Sequence, residues 1–523
     1  MRTRLMLNDH GSRRTAARSA ASYMGKSVPS AAFWLIAAGE IAAFIAGMAT
    51  GMLGNWTLVP VAVGFLGLLA AAAWGGGGNG YGPLTDVTPN LILIVLPTIL
   101  ASAAISIRAS VGAIAVVAVA IFWMRQSQRI RIAPAWPCAI LPAIGLAIVG
   151  RPNYPSTAYT VVFFAVGCVV VAGAVFLSSS RSSALTSLND GIGLFLVASV
   201  VLRLIGLDAQ GSPKELLPNA ITGGERVAFP LTSAQAATPA MATVYLAAVM
   251  PILLSSSRYR VPRLIALAAA IDVLVLADRR AALFGALFLA AGLLLVPRLF
   301  RRAAPYLVGA SLIIPFIYRF VQAAVGQVML AASSPLPWLL RPGESPTTLH
   351  GRDYVWSQSI DFYWNRVDKV HQTFGYGSFG NGASGVSANY GNLFDTLSGD
   401  RRLVTPHNSM LQLLFDGGWV FATVFAATIC YLAWLLSRRS SATDLAGLAM
   451  LMALSIVGIT EVALSPSHTQ PTWWVLVALG MISFSKERSS PDQTDPMKPA
   501  AASRETPSTA PILGLKQQRA THE

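Results

Sequence analysis

Along most of this chain, apolar runs of roughly 17 to 25 residues alternate with short polar connections, the length an α-helix needs to cross a hydrocarbon core. The pattern predicts spans near 31–54, 56–74, 89–107, 110–124, 133–149, 157–177, 191–207, 235–254, 264–277, 281–297, 303–321, 418–436, 443–464 and 472–485. The runs at 110–124 and 264–277 are short, so the expected count is about 12 to 14 transmembrane helices. Backbone polar groups in lipid must bond within their own segment, which makes the expected class all-α and polytopic. The first run is too long, and lacks the small-residue cleavage site, for a secretory signal peptide.

One long polar island, 322–406, interrupts the pattern before the late spans. It holds HGRDYVW (350–356) and FGYGSFGNG (374–382), and runs into TPHNSMLQLLFDGG (405–418). The chain therefore divides into a basic N-terminal tail (1–30), a helix bundle (31–321), the island (322–406), an outer helix with the last spans (407–485), and a tail (486–523). The last of these is rich in Pro, Ser, Thr and Ala and reads as disordered.

Composition supports this reading: 54% of residues are hydrophobic, 12% charged, and mean hydropathy is +0.57. A net charge of +15 would suit nucleic acid, but the placement of the basic residues argues for membrane lipids instead. They fall in alternate connections (Arg125, Arg129, Arg131; Arg258, Arg260, Arg263; Arg298, Arg301, Arg302; Arg438, Arg439) and in the N-terminal tail. With those segments inside, both termini are cytoplasmic, and Arg108 and Arg151 are exceptions to the positive-inside rule. Anionic headgroups are the expected partners of the basic loops. Cys138, Cys168 and Cys430 all fall in spans, so no disulfide is expected.

This threading puts Arg226, Arg279, Arg280, Arg352 and His407 on the outer face, where the charge rule disfavours cations. Guanidiniums kept there are candidates for gripping an anion, since their fork matches phosphate oxygens. Each also has a plainer reading. Arg226 could pair with Glu225 or Glu215, Arg352 with Asp353 or Asp361, and the Arg279–Arg280 doublet could snorkel to headgroups. For His407, Thr405 is the expected N-cap and Pro406 the first helical residue, placing the imidazole in the first turn of an outer helix. Asn408 and Gln412, four apart, would share a face able to hydrogen-bond sugar hydroxyls, and Asp416–Gly417–Gly418 should end that short helix before the span begins. Glu461, at the outer end of its span, lies at a depth that reaches the same region, with its role open; Glu40 and Asp272 are carboxylates within spans. There is no Asp-x-Asp pair and no metal-ligand spacing, so neither a metal nor another cofactor is expected.

The elements ERVAF (225–229), DRRAAL (278–283), GRDYVW followed by GYGSFGNG, and HNSMLQLLFDGG, in that order over roughly 190–440, resemble the O-antigen ligase and O-antigen polymerase superfamily of bacterial envelope glycosyltransferases. The resemblance implies a GT-C-like helical membrane fold with a large extracytoplasmic loop. It also implies a polyprenyl-diphosphate-linked glycan as donor, a glycan or lipid acceptor, and metal-independent inverting transfer at the outer face of the bacterial cytoplasmic membrane, alongside polysaccharide assembly partners. By position, Arg226 and Arg279 or Arg280 would bind the diphosphate, Arg352 would be a third contact, and His407 the base. The rival classes are a transporter or flippase for lipid-linked oligosaccharide, whose cations would line a path through the bilayer, and a non-enzymatic assembly protein.

Overall fold

The computed structural model describes residues 140–151, 158–178, 180–206, 226–232, 237–256, 259–333, 351–391, 404–468 and 470–484, with 219, 222 and parts of 93–101. The expected spans at 31–54, 56–74 and 110–124, both tails, and Glu40 lie outside these residues.

The structure is 84% helical and has no strand among the described residues. Fourteen helices are described: α1 Ile140–Val149, α2 Ala158–Leu177, α3 Arg181–Leu204, α4 Ala237–Ser255, α5 Arg260–Leu276, α6 Arg280–Leu295, α7 Pro297–Ser333, α8 Arg352–Asn365, α9 Lys369–Phe374, α10 Gly380–Ser384, α11 Ser387–Tyr390, α12 Ser409–Ser437, α13 Ala442–Thr460 and α14 Pro471–Phe484. Five of them (α3, α4, α7, α12 and α13) are long and apolar enough to cross a membrane, and α1, α2, α6 and α14 are shorter apolar helices. Large apolar side chains lie open on the bundle surface, among them Ile265, Phe288, Leu299, Ile313 and Val424. Exposed apolar area spread over several helices is costly in water and favourable in lipid.

Two sets of polar contacts mark opposite ends of the bundle. At one end Arg181 bonds Asp444, Arg439 donates to the Ser483 carbonyl, and Arg301 donates to the Ser440 carbonyl. At the other, Arg279, Arg352 and His407 gather round Glu461. Helix α13 joins them: Ser441 caps it by accepting from Asp444 N, and Glu461 follows its last residue. Glu461 lies seventeen residue steps along the chain from Asp444, about 26 Å of helical rise and close to the thickness of a hydrocarbon core. Helices α3 to α7 and α12 to α14 accordingly run alternately between these ends.

Helix α7 differs from expectation. The span predicted to stop at 321 continues as one helix to Ser333, so the first part of the polar island is helical. At 37 residues it is about 55 Å long, well over the roughly 30 Å thickness of a hydrocarbon core. The island then folds back as α8 to α11. Tyr318 of α7 meets Trp356 of α8 edge-on, and Tyr363 of α8 meets Phe415 of α12 in the same way.

The island is locked to α12 at a break in that helix. Gly418 has φ 71° and ψ −179°, a region open essentially to glycine alone, and splits α12 as the Asp-Gly-Gly element predicts. A Cβ on Gly418 would sit 2.3 Å from the Thr373 carbonyl oxygen, and one on Gly375 would sit 2.4 Å from that of Asp416. Backbone thus lies directly on backbone, and Tyr376 N and Gly377 N donate to the Phe415 and Asp416 carbonyls released by the break. Beneath them, fully buried Asp416 accepts from Gly380 N, Gln412 Nε2 and the hydroxyls of Ser465 and Ser467.

Candidate functional site

The site lies at the Glu461 end, where four segments meet. The first is the irregular backbone of 226–232, laid across the C-terminus of α5, where Val227 N donates to the Leu276 carbonyl; Asn219 Nδ2 adds bonds to the Val275 and Leu276 carbonyls. The second is the reversal between α5 and α6, three residues long, which turns on Asp278 at φ 52°. The Asp278 carboxylate receives Arg226 Nη2 at 3.2 Å and Arg280 Nε at 3.3 Å, and its side chain is wholly buried. The doublet therefore divides. Arg280 turns with Arg226 to Asp278, while Arg279 turns the other way to Glu461.

The third segment is the start of α8. Gly351 at φ 79° opens the helix, and Arg352, its first residue, sends Nη2 to Glu461 Oε1 at 3.1 Å. Arg279 Nη1 reaches the same oxygen at 3.0 Å. Two guanidiniums from distant parts of the chain thus share one carboxylate oxygen. Arg226 belongs to the same field, since both it and Arg279 press on the charge of Arg352; burial, the largest influence, and these two cations lower its pKa, against Glu461.

The fourth segment carries His407, whose Nδ1 lies 3.7 Å from Glu461 Oε2. The local start of α12 departs from the prediction here. Asn408, not Thr405, is the N-cap, its side chain accepting from Met410 N and Leu411 N, and the helix begins at Ser409. Pro406 and His407 lie outside the helix, and His407 adopts a left-handed φ of 48°. The imidazole consequently faces Glu461 rather than the free N–H groups of the first turn. Of the four non-glycine residues with positive φ among those described, two, Asp278 and His407, are at this site. Such conformations cost about 1–3 kcal/mol each and persist only when the surroundings impose them.

Glu461 sits just beyond the C-terminus of α13, where burial and the negative end of the helix dipole both oppose a carboxylate. Burial alone would raise its pKa, but Arg279, the His407 contact and Arg352 outweigh it and hold the carboxyl down at about 2. It is ionised across any physiological pH.

Arg226, Arg279, Arg280, Arg352 and His407 are thus all brought to one end of the bundle. The pairings first considered for Arg352, with Asp353 or Asp361, give way to Glu461, and Arg226 reaches Asp278. Asn408 and Gln412 are different. Asn408 is buried, capping α12 while its Nδ2 donates to the Ile459 carbonyl. Gln412 is fully buried and donates to Asn381 and Asp416. Both amides face the protein interior, which corrects the expectation that they present a sugar-binding face. The two carboxylates that organise the site, Asp278 and Glu461, had no assigned role in the sequence reading. Their signal was present: each is an acid at the end of an apolar run, at the depth of the outward arginines.

These features define a helical protein of membrane-spanning build with a cationic, histidine-containing site at one end. Compared with models of protein families and with curated proteins, the chain matches none.

Proposed function

We propose that the chain is an O-antigen ligase-like membrane glycosyltransferase. It would transfer or polymerise a polyprenyl-diphosphate-linked glycan onto an acceptor hydroxyl at the outer face of the bacterial cytoplasmic membrane, on a GT-C-like scaffold. The observation that carries the reading is the sharing of one Glu461 oxygen by Arg279 and Arg352, with His407 beside the other oxygen. Two guanidiniums on one carboxylate leave positive charge to offer an anion, and an imidazole lies within the same few ångströms.

The chemistry these groups suit is a single displacement. The acceptor oxygen bonds the anomeric carbon as the bond from that carbon to the diphosphate oxygen breaks. The lipid diphosphate leaves with the electron pair, and the acceptor proton passes to His407. Arg279, Arg352 and Arg226 would stabilise charge building on the leaving group, and His407 would act as general base, a contribution of about 10²- to 10⁴-fold. Collection of the cations at one end, rather than along a path through the bundle, favours transfer over translocation.

The test is purified full-length protein in lipid nanodiscs, given a polyprenyl-diphosphate oligosaccharide and candidate acceptors one at a time. His407→Ala should lose at least about 100-fold in transfer while inserting and melting as the parent does. Undiminished transfer by that variant overturns the base assignment, and unchanged polysaccharide output in cells would favour an assembly or transport role.

A further inference from the structure

Glu461 touches both halves of the proposed machinery, the arginines through Oε1 and the imidazole through Oε2. This contact is built in by the backbone on either side. Asn408 Nδ2 donates to the Ile459 carbonyl at 2.9 Å and Ser409 Oγ to the Glu461 carbonyl at 2.8 Å, so the residues after His407 are stitched to those around Glu461. Ser409 Oγ also accepts from Leu464 N, fixing the far side of the turn. The left-handed backbone at His407 is the cost of turning its ring toward this carboxylate.

We infer that Glu461 couples donor binding to base activation: it is the resident anion of the arginine pair, and a diphosphate that takes Arg279 and Arg352 frees its carboxylate to serve His407. Oε1 holds both guanidiniums in place, which keeps the cations ordered and makes the carboxylate a competitor of any anionic ligand. When diphosphate oxygens take over those N–H donors, the carboxylate loses two positive neighbours and keeps one, the imidazole. It can then close the 3.7 Å gap to accept Nδ1–H, fixing the tautomer with Nε2 as proton acceptor and stabilising the imidazolium once the acceptor's proton arrives. No oxidant, reductant or further reactant is required. Glu461 is on this account a positioning residue, since it acts on the acceptor through His407. The inference rests on the transferase reading above and adds an order of events, with donor before acceptor.

The experiment uses the full chain in nanodiscs, with inorganic pyrophosphate as the anion probe in calorimetry and the transfer assay for rate. Glu461→Gln keeps the shape and removes the competing charge. It should bind pyrophosphate at least about threefold more tightly, and lower KM for the donor, while kcat falls at least about tenfold, a split that simple structural damage does not produce. Glu461→Asp keeps the charge and withdraws it from the ring; pyrophosphate affinity should stay within about twofold and kcat should fall about fivefold or more. Equal or weaker pyrophosphate binding by Glu461→Gln, or kcat within about twofold of the parent in either variant, overturns the inference. If Glu461→Gln fails to accumulate as folded protein, the kcat of Glu461→Asp decides. Failure of the underlying reading has a separate signature, full transfer by His407→Ala. The pyrophosphate arm reports on the arginine pair whatever the transfer assay shows.

Discussion

A glycine-to-alanine series separates backbone strain from backbone collision at the α12 break. Gly385 has φ 84° with nothing within 4 Å of its added Cβ, so alanine there meets only the left-handed penalty, about 1–2 kcal/mol. Gly380 has no positive φ, but its Cβ would lie 2.2 Å from the Phe415 carbonyl oxygen and 2.8 Å from Asp416 N. Those neighbours are main chain and cannot swing aside, so overpacking of about 1–3 kcal/mol is expected. Gly418 meets both kinds of cost, a glycine-only backbone conformation and a Cβ 2.3 Å from the Thr373 oxygen, for about 2–6 kcal/mol in all. The assay is thermal unfolding of nanodisc-embedded protein followed by tryptophan fluorescence. Melting should fall least for Gly385→Ala and furthest for Gly418→Ala. A Gly418→Ala protein melting with the parent, or above Gly385→Ala, would refute the interlocked-backbone account.

Replacing Asp416 with alanine leaves Gly380 N, Gln412 Nε2 and two serine hydroxyls without their buried acceptor, and should cost about 3–5 kcal/mol, read as a large drop in melting temperature. Glu461 titrates at about 2 when folded against an ordinary 4.5, so its stabilisation is complete above pH 4.5 and is lost as pH falls toward 2. The melting difference between parent and Glu461→Gln should therefore shrink over that window; a constant difference would show that the carboxylate is not held by its cations. Arg352→Lys keeps the charge but offers Glu461 and a phosphate a single point donor, so pyrophosphate affinity should fall about tenfold, and unchanged affinity in calorimetry would rule out fork geometry.

The spans were legible because length and apolarity are set by the membrane: α2, α4, α6 and α14 lie where apolar runs of the right size predict them, and Asp-Gly-Gly marked the α12 break. The start of α12 was not legible. Thr405 and Asn408 are both competent caps three residues apart, and the choice falls to Asn408 because its Nδ2 also finds the Ile459 carbonyl, 51 residues away. The same cause hid the inward turn of Asn408 and Gln412, since a helical face can be counted from sequence while its neighbours cannot. Arg279, Arg352 and His407 stand out in the sequence as cations on the side the charge rule disfavours, a local signal. Their convergence on Glu461 depends on α6, α8, α12 and α13 ending at one level, which only the packed bundle specifies.

The clasp between Gly375, Gly380 and the α12 break has a mechanical consequence. Because main chain bears directly on main chain there, α9 and α10 cannot lift without unmaking the bend in α12 and the acid beneath it. The segment from α9 to α10 is therefore fixed to α12 as one rigid piece rather than hinged on it, and any motion there would have to carry the upper turns of α12 along.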